Sequence, residues 1–448
     1  MASNLLLSSV LLIVLLATSA LFACSTYVQV LEPSKLHDNK AFRVKLEYVK
    51  YSGKNLSRLE RLENWIKPRQ HSSLQKINGN LNKISSPIRP GDDIGELFME
   101  LSIGTPPKTH SMIMDTGSDF IWIGCDPDHV NSVNKKKATI FYPEDSLSYS
   151  ELPCSSGLCK ALPHTICGSE NCEYHYRYRG DSSTRGILAR ESLTFGEFTI
   201  PNIAFGCGMN NTGDSIEPGS GIVGLGRGPL SLILQLKETK FGYCLPSMAD
   251  TKSRGALLIG ELESLNIENL SGVRTTPLIT NQFEPSHYHL SLEGISIGKT
   301  KLPIEKSAFE LNRKDGTGGL VIDSGTPITR LEESAYDLVK EELMKQIKLP
   351  VDESESSELE LDLCFKLHQG WHEVKVPEIR FHFDGADLDL GKDNYMIEDK
   401  DQGLMCLAML ASPLFVSILG AAQQQNLLVI HNLEKETLSF VPTQCDQL

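Results

Sequence analysis

The chain has 448 residues, of which 40% are hydrophobic and 22% charged, and its formal net charge at pH 7 is −14. This composition excludes disordered and collagen-like chains, and the length suffices for two or three domains. The negative charge argues against a nucleic-acid-binding protein, because phosphates require concentrated positive charge.

The N-terminus carries a short apolar run over residues 5–16, followed by small residues through Ala23. This layout predicts a secretory signal peptide over residues 1–24. A membrane anchor is the alternative, but the run is shorter than the roughly 20 residues that span a bilayer. No second apolar span follows, so we expect no stable membrane anchor and a secreted, extracellular protein, with the vacuole as the alternative location.

The next segment has a charge opposite to that of the rest of the chain. Residues 25–90 contain 13 Lys and Arg against 5 Asp and Glu, whereas residues 91–448 contain 30 against 52. The segment ends in the loop-like sequence SSPIRPGDD. A removable basic propeptide over residues 25–90 is the economical prediction; an ordinary basic N-terminal domain is the alternative.

Downstream of Glu96 the chain consists of short β-type runs separated by Gly, Pro, Asn and Asp, which predicts an all-β body. Helical periodicity is clear only near Glu332 to Ile347. There the apolar residues expected on one face are Ala335, Leu338, Val339, Leu343 and Met344.

An internal repeat is the most informative feature. The sequence MIMDTGS at 112–118 recurs as VIDSGT at 321–326, so that Asp115 and Asp323 lie 208 residues apart. Each half then carries a later apolar-apolar-Gly sequence, Ile222-Val223-Gly224 and Ile418-Leu419-Gly420. The repeat predicts two equivalent lobes, 91–272 and 273–448, each contributing one aspartate.

Two such aspartates can perform acid–base chemistry together. A strand that ends in Asp-Thr/Ser-Gly places a carboxyl on a tight turn, and the following Ser or Thr hydroxyl can orient it. Two adjacent carboxyls cannot both ionise easily, so they share a proton at acidic pH. The ionised one can then activate a water for attack on a peptide carbonyl while the other protonates the carbonyl oxygen. This chemistry requires neither a metal nor a cofactor.

The sequence resembles the pepsin-type aspartic proteases, and specifically their plant nepenthesin-like branch. The resemblance covers residues 92–445 and rests on MDTGSDFIW, LPCSSGLCKAL, FGCG, GIVGLGRGPLSL, FGYC, VIDSGTPITRL and ILGAAQQQN. It implies a bilobal all-β fold with the active site between two homologous lobes and with Asp115 and Asp323 as the catalytic pair. The implied supporting residues are Ser118, Thr326, Thr116, Ser324, Gly117 and Gly325.

The resemblance also implies a flap over the substrate that carries Tyr178, with Trp122 as the hydrogen-bond partner of this tyrosine. The sequence departs from the family pattern at Arg179 and Asp181 of the flap, where glycine is lost, and at Pro327, which removes an N–H and a hydroxyl. These departures put the flap turn and its bonds to substrate in question.

Ten cysteines lie downstream of Cys24, and an even number in a secreted chain predicts five disulfides. The resemblance implies the pairs Cys125–Cys207, Cys154–Cys172, Cys159–Cys167, Cys244–Cys445 and Cys364–Cys406. A zinc site in the cluster 154–172 is the alternative, although its spacing lacks paired CxxC knuckles. Glycosylation sequons begin at Asn210 and Asn269, with a further one at Asn55 in the leader.

We therefore predict a secreted, monomeric aspartic endopeptidase that is made as a zymogen and hydrolyses proteins or peptides at acidic pH. Its expected partners are its substrates and its own propeptide. The competing hypothesis is a protein-binding relative without turnover, such as the xylanase-inhibitor proteins. A GxGxxG match at 219–224, the pair His287 and His289, and the pair His368 and His372 are weaker patterns for nucleotide or metal binding.

Overall fold

A computed structural model describes the backbone of residues 42–48 and a body that begins at residue 97. The described ranges of the body are 97–126, 140–168, 170–178, 182–196, 198–213, 221–247, 254–260, 272–352, 361–367, 374–399 and 403–445. The predicted signal peptide, most of the predicted propeptide, Asn55, Asn269, His368, His372 and the flap residues 179–181 lie outside these ranges.

The described residues form mainly β-strands, which confirms the predicted fold class. The strands of the first half are β1 (Phe42–Tyr48), β2 (Leu97–Ile103), β3 (Lys108–Asp115), β4 (Trp122–Gly124), β5 (Ser150–Glu151), β6 (Thr165–Ile166), β7 (Glu173–Arg177), β8 (Ser183–Phe195), β9 (Phe198–Thr212), β10 (Gly221–Gly224), β11 (Lys240–Cys244) and β12 (Gly255–Ile259).

The strands of the second half are β13 (Arg274–Ile279), β14 (Tyr288–Leu290), β15 (Leu292–Ile297), β16 (Thr300–Lys301), β17 (Leu320–Ile322), β18 (Thr329–Leu331), β19 (Cys364–Lys366), β20 (Ile379–Phe383), β21 (Ala386–Leu390), β22 (Met396–Asp399), β23 (Leu404–Leu407), β24 (Met409–Ala411), β25 (Ser417–Leu419), β26 (Leu427–Asn432) and β27 (Thr437–Pro442).

Helices are few and mostly one turn long. They are α1 (Gly157–Lys160), α2 (Leu232–Gln235), α3 (Glu333–Gln346) and α4 (Lys392–Tyr395), with 3-10 turns at Pro143–Asp145, Lys306–Phe309 and Ala421–Gln424. Among the described residues, no helix combines the length and apolar character needed to cross a membrane.

Helix α3 lies where the 3.6-residue period predicted it. Ala335, Val339 and Leu343 are buried in the core, as the apolar pattern requires. Met344, which was expected on this face, is 44% exposed, and Tyr336 is buried instead. The buried face of α3 thus includes an aromatic ring in its first turn and ends before Met344 in its last turn.

The two halves share a continuous antiparallel sheet. In it β13 pairs with β27, β27 with β26, β26 with β11, β11 with β12, and β12 with β1. The contact between β11 and β26 crosses from one half to the other. Strand β1, which belongs to the predicted propeptide, pairs with β12 on one side and with β2 on the other.

Each half repeats one arrangement around its aspartate. Strand β3 runs parallel to β10, with Asp115 opposite Gly224, and β17 runs parallel to β25, with Ile322 opposite Leu419. Strands β4 and β18 then pair antiparallel with β10 and β25. The two sequence repeats of each half are thus neighbouring strands, and the fold is bilobal, as predicted.

Five disulfides link the described cysteines, and two of them differ from the expected pairs. Cys125–Cys207, Cys244–Cys445 and Cys364–Cys406 form as the resemblance implied. In the insert, however, the structure pairs Cys154 with Cys167 and Cys159 with Cys172, so the expected pairs Cys154–Cys172 and Cys159–Cys167 are wrong.

The physical reason for the exchange is burial. Helix α1, capped by the Ser156 hydroxyl, turns Cys159 inward toward Cys172, and both side chains are almost fully buried. Cys154 is half-buried and Cys167 exposed, so these two remain to pair at the surface. Because all four sulfurs are in disulfides, none of them is available as the thiolate that a zinc site requires.

Candidate active site

The repeated strands carry Asp115 and Asp323 to the same place in the molecule. Asp115 is the last residue of β3, and Asp323 directly follows β17. The parallel partner of each strand supports the aspartate backbone: Leu225 N–H donates to Asp115 C=O, and Asp323 N–H donates to Leu419 C=O. Asp115 is 7% exposed, and Asp323 is half-buried.

The two carboxyls accept equivalent hydrogen bonds from their own loops. Gly117 N–H donates to Asp115 Oδ1 over 2.8 Å, and Ser118 Oγ donates to Asp115 Oδ2. In the second loop, Gly325 N–H donates to Asp323 Oδ1 over 2.8 Å, and Thr326 Oγ1 donates to Asp323 Oδ2 over 2.6 Å. Each carboxyl is therefore held by one backbone donor and one hydroxyl.

The residues after the aspartates bond across the junction of the two halves. Ser324 N–H donates to Thr116 Oγ1 over 2.9 Å, and Thr116 N–H donates to Ser324 Oγ over 3.2 Å. Ser324 Oγ also donates to Met114 C=O over 3.0 Å. Thr116 and Ser324 are buried, so these bonds lock the two loops together.

Glycine is required for the two carboxyls to come this close. A Cβ on Gly117 would lie 2.7 Å from Asp323 Oδ2, and a Cβ on Gly325 would lie 2.4 Å from Asp115 Oδ1. Burial and the adjacent Asp323 carboxyl raise the pKa of Asp115 above its ordinary value of 3.8, although Ser118 and Gly117 favour its ionised form. The pair can thus keep one proton at pH values at which isolated carboxyls would be ionised.

The predicted flap tyrosine lies over this region. Trp122 Nε1 donates to Tyr178 OH over 2.7 Å, which is the contact that the resemblance implied. Tyr178 N–H also donates to Ser182 C=O over 2.9 Å, so a backbone hydrogen bond joins the two residues that flank 179–181. Tyr176 stacks on Phe120 with ring centroids 5.1 Å apart, which extends the aromatic wall beneath the flap.

Three further residues join the site that sequence reasoning did not single out. Gln424 Nε2 donates to Asp323 C=O over 3.2 Å, and its Oε1 accepts from Tyr243 OH over 2.6 Å. Asp119, next to Ser118, carries a third carboxyl, which is half-buried. The polar glutamines between two apolar C-terminal runs, and a carboxylate directly after the DTGS motif, were the available signals.

The remaining predicted features form no ligand site of the kind their patterns suggested among the described residues. Asn210 is exposed near the end of β9, where an attached glycan would meet solvent. His289 is buried in β14, and His287 Nδ1 lies 3.0 Å from Glu284 Oε2. Gly221–Gly224 form strand β10, so the described part of the GxGxxG match is a strand and not a nucleotide-binding turn.

Comparisons with known proteins agree with this geometry. The family models described as "Xylanase inhibitor N-terminal" and "Xylanase inhibitor C-terminal" match residues 97–261 and 287–442. The aspartic proteinase nepenthesin-1 of Nepenthes gracilis is 44% identical over 408 residues, which covers 90% of both chains. Aspartyl protease 37 of Oryza sativa subsp. japonica is 36% identical and covers 81% of this chain and 83% of its own.

Solved structures share the fold at lower identity. The structure titled "Crystal structure of edgp" matches with a TM-score of 0.63 and 19% identity, over 90% of this chain and 95% of that one. Conglutin gamma, a basic 7S globulin from lupine seeds, matches with a TM-score of 0.60 and 18% identity, over 78% of this chain and 92% of that one.

Proposed function

Because this chain belongs to the pepsin-like aspartic proteases and is an aspartic endopeptidase, we propose that Asp115 and Asp323 are its catalytic pair, working at acidic pH in a secreted enzyme. The observation that carries the assignment is the reciprocal bonding of the two Asp-Thr/Ser-Gly loops, which brings one carboxyl from each half together. Proteins and peptides are the substrates.

In the proposed mechanism the two carboxyls share one proton, which burial favours on Asp115. The ionised Asp323 takes a proton from a water, whose oxygen then attacks the peptide carbonyl carbon. Asp115 donates its proton to the carbonyl oxygen, which gives a tetrahedral diol. Asp323 then passes the proton that it took from the water to the nitrogen, the C–N bond breaks and the amine leaves, and Asp115 regains a proton from the diol as the carboxylic acid product forms. Ser118 and Thr326 hold the carboxyls in orientation, and Tyr178 covers the substrate.

Digestion of a mixed peptide library from pH 2 to pH 7 tests this assignment. The processed enzyme should cut most efficiently on the acidic side, pepstatin should inhibit it, and Asp115→Asn and Asp323→Asn should each abolish cutting. Asp145→Asn is the matched control, because Asp145 lies in an exposed ion pair with Lys108. Pepstatin-insensitive cutting, or full activity in either active-site variant, would refute the mechanism. The absence of cutting at every pH would favour a protein-binding role.

The leader supports a second part of the proposal, synthesis as a zymogen. The leader has a net charge of +8 and the body a net charge of −22, and strand β1 of the leader is hydrogen-bonded between β2 and β12. Removal of the leader therefore requires β1 to leave the sheet. Acidification protonates body carboxylates, weakens the attraction and permits self-processing.

Purified precursors of the wild type and of Asp115→Asn, held at pH 3 to 4, test this step. The wild type should shorten with time, and the Asp115→Asn precursor should stay full length. A wild-type precursor that stays full length and inactive, while separately processed enzyme is active, would instead point to cleavage by another protease near residues 87–93.

Secretion itself rests on the apolar N-terminal run and the disulfide-rich body. N-terminal sequencing of protein collected outside expressing plant cells should show that residues 1–24 are gone. The exposure of Asn210 supports its use as a glycosylation site, so an endoglycosidase should reduce the mass of the wild type more than that of Asn210→Gln. Retention of the protein in the vacuole would support the alternative location.

A further inference from the structure

Asp119 lies one residue beyond Ser118, and its half-buried carboxylate bonds to both halves of the molecule. Gly228 N–H donates to Asp119 Oδ1 over 2.7 Å, and Ser286 Oγ of the second half donates to Oδ2. Partial burial raises the pKa of Asp119, whereas Ser286, Gly228 and nearby His287 favour its ionised form. A half-buried carboxylate with two dedicated donors, one from each half, is a built contact and not a solvated surface charge.

The loop that receives this carboxylate also holds the first catalytic loop. Leu225 N–H donates to Asp115 C=O and Gly226 N–H donates to Ser118 C=O, both over 2.8 Å. A Cβ on Gly228 would lie only 2.0 Å from Asp119 Oδ2. Residues 225–228 therefore fit closely around the backbone on which Asp115 and Ser118 stand.

The same loop is fastened to the second half. Arg227 N–H donates to Ser286 C=O over 3.0 Å, and Tyr288 OH donates to Leu225 C=O over 2.7 Å. The Arg227 guanidinium forms a two-oxygen ion pair with Glu436, at 2.6 and 2.7 Å. Through Ser286, the Asp119 carboxylate is part of this second junction between the halves, separate from the Thr116–Ser324 junction.

The second catalytic loop is held differently. The position that corresponds to Asp119 is Pro327, which has no side-chain hydrogen-bonding group. Ala421 N–H and Ala422 N–H donate to the backbone carbonyls of Thr326 and Pro327, and Gln424 supports Asp323 C=O. Apart from the Thr116–Ser324 junction that both loops share, the backbone of Thr326 and Pro327 is thus held by its own half, whereas the first loop has a further bond to the opposite half through Asp119.

We propose that Asp119 is a positioning residue that, through Gly228 and Ser286, holds the first catalytic loop at its working distance from Asp323. This inference rests on the proposed role of Asp115 and Asp323. Two close carboxyls titrate as a coupled pair, and their coupling weakens as they separate. A loosened first loop therefore brings the acidic and basic limbs of the kcat/KM–pH profile closer together.

The test measures kcat and KM on one fluorogenic peptide from pH 2 to pH 7, with active enzyme counted by pepstatin titration. Asp119→Ala should lower kcat about 10- to 100-fold and bring the two limbs together, because a small misplacement of a catalytic group is costly. KM should change by less than about threefold, because the lost interaction acts on the chemical step. Asp119→Asn should restore most of kcat, since its amide oxygen can accept from Gly228 N–H while its NH₂ donates to Ser286 Oγ.

Ser286→Ala keeps the test decisive if Asp119→Ala does not fold, because it removes only the bond to the second half. Ser286→Ala should lower kcat and bring the two limbs of the pH profile together, both to a smaller extent than Asp119→Ala does. Two matched controls lie away from the site: Asp352→Ala removes a buried carboxylate that pairs with Lys366, and Ser296→Ala removes a hydroxyl bonded to His382. Both control variants should keep the acidic and basic limbs of the kcat/KM–pH profile at their wild-type positions.

The inference would be overturned if Ser286→Ala and Asp119→Ala both kept the wild-type kcat per active enzyme and the wild-type positions of the two limbs. An Asp119→Asn enzyme as impaired as Asp119→Ala would also overturn it, because hydrogen bonding would then not be the cause. Failure of the catalytic assignment would look different: the wild type would cut without pepstatin sensitivity, or Asp115→Asn would remain active.

Discussion

The two catalytic loops have the same backbone arrangement but different surroundings. In both, the aspartate accepts an N–H from the glycine two residues later and a hydroxyl three residues later. Beyond that point the first loop continues to Trp122, which bonds the flap tyrosine, and the second continues to the half-buried Arg330. Trp122 and Arg330 each lie seven residues after their aspartate and pair with Ile222 and Ile418.

The difference between the two loops distinguishes the support that the carboxyls need for the reaction from the contacts that the substrate needs. Two carboxyls that share a proton need equivalent support, and the repeat supplies it. In the proposed function one flap, which carries Tyr178, covers the substrate, and the first loop supplies the aromatic donor of this tyrosine, Trp122. The following predictions test how far the symmetry extends.

The largest loss of activity is expected at the two loop glycines, Gly117 and Gly325, where the equivalence of the two loops is strictest. Gly117→Ala and Gly325→Ala should each reduce kcat about 100-fold or more, because either Cβ would push the opposite carboxyl out of position. Assays at pH 3 to 4 with pepstatin-counted enzyme measure the loss. A strong loss in only one of the two variants would show that the loops are not equivalent.

Next in size is the junction beneath the carboxyls. Ser324→Ala leaves Thr116 N–H and Met114 C=O without their hydroxyl partner, so the free energy of unfolding should fall by about 2 kcal/mol. Thr116→Val removes the acceptor of Ser324 N–H and the hydroxyl that bonds Tyr243, and should also cost about 2 kcal/mol. Urea denaturation measures both, with Ser296→Ala as the control. Losses no larger than that of Ser296→Ala would contradict the stabilising role assigned to this junction.

The burial of Asp115 predicts a pH-dependent stability. Its pKa is raised in the folded protein, so above pH 3.8 the folded state retains a proton that the unfolded state releases. Wild-type stability should therefore fall as pH rises toward the raised pKa, by up to about 1.4 kcal/mol for each pH unit between the unfolded and folded pKa values. Asp115→Asn lacks this contribution.

Thermal denaturation of the processed enzyme measures this contribution. The Tm of Asp115→Asn should equal that of the wild type near pH 3 and exceed it near pH 6.5. The exposed-carboxylate variant Asp145→Asn should follow the wild type throughout. A Tm difference that is the same at both pH values would show that the substitution acts by packing and not by proton binding.

The smallest effects compare the equivalent positions after the loops. Trp122→Phe leaves Tyr178 OH without its donor and should lower kcat/KM about tenfold. Arg330→Gln, at the equivalent position of the second loop, should change kcat/KM by less than about twofold, because the proposed flap tyrosine is bonded by Trp122 of the first loop. A comparable loss in both variants would indicate that the second loop also contacts substrate.

Much of this arrangement was predictable from the sequence. The recurrence of Asp-Thr/Ser-Gly after apolar runs predicted both carboxyls, and the apolar-apolar-Gly repeats are the parallel neighbours of their strands. Tyr178 and Trp122 follow from resemblance and lie in contact. Helix α3 was predictable from its period, although Tyr336 is buried and Met344 is exposed.

Other features could not be read from the order of residues. The four cysteines of the insert allow several pairings, and only the inward turn of α1 selects Cys159 with Cys172. Asp119 is polar within an apolar run, and its partners Gly228 and Ser286 are 109 and 167 residues away. Gln424 likewise reaches Tyr243 across 181 residues.

The sequence by itself therefore determined the identity of the paired carboxyls, their supporting hydroxyls and the two-lobed β architecture, because these depend on local patterns that occur twice. Only the tertiary structure decided which cysteines pair, which buried polar groups find partners and which loop has a further bond to the opposite half. Those outcomes depend on burial and on contacts between distant segments, which no local pattern encodes.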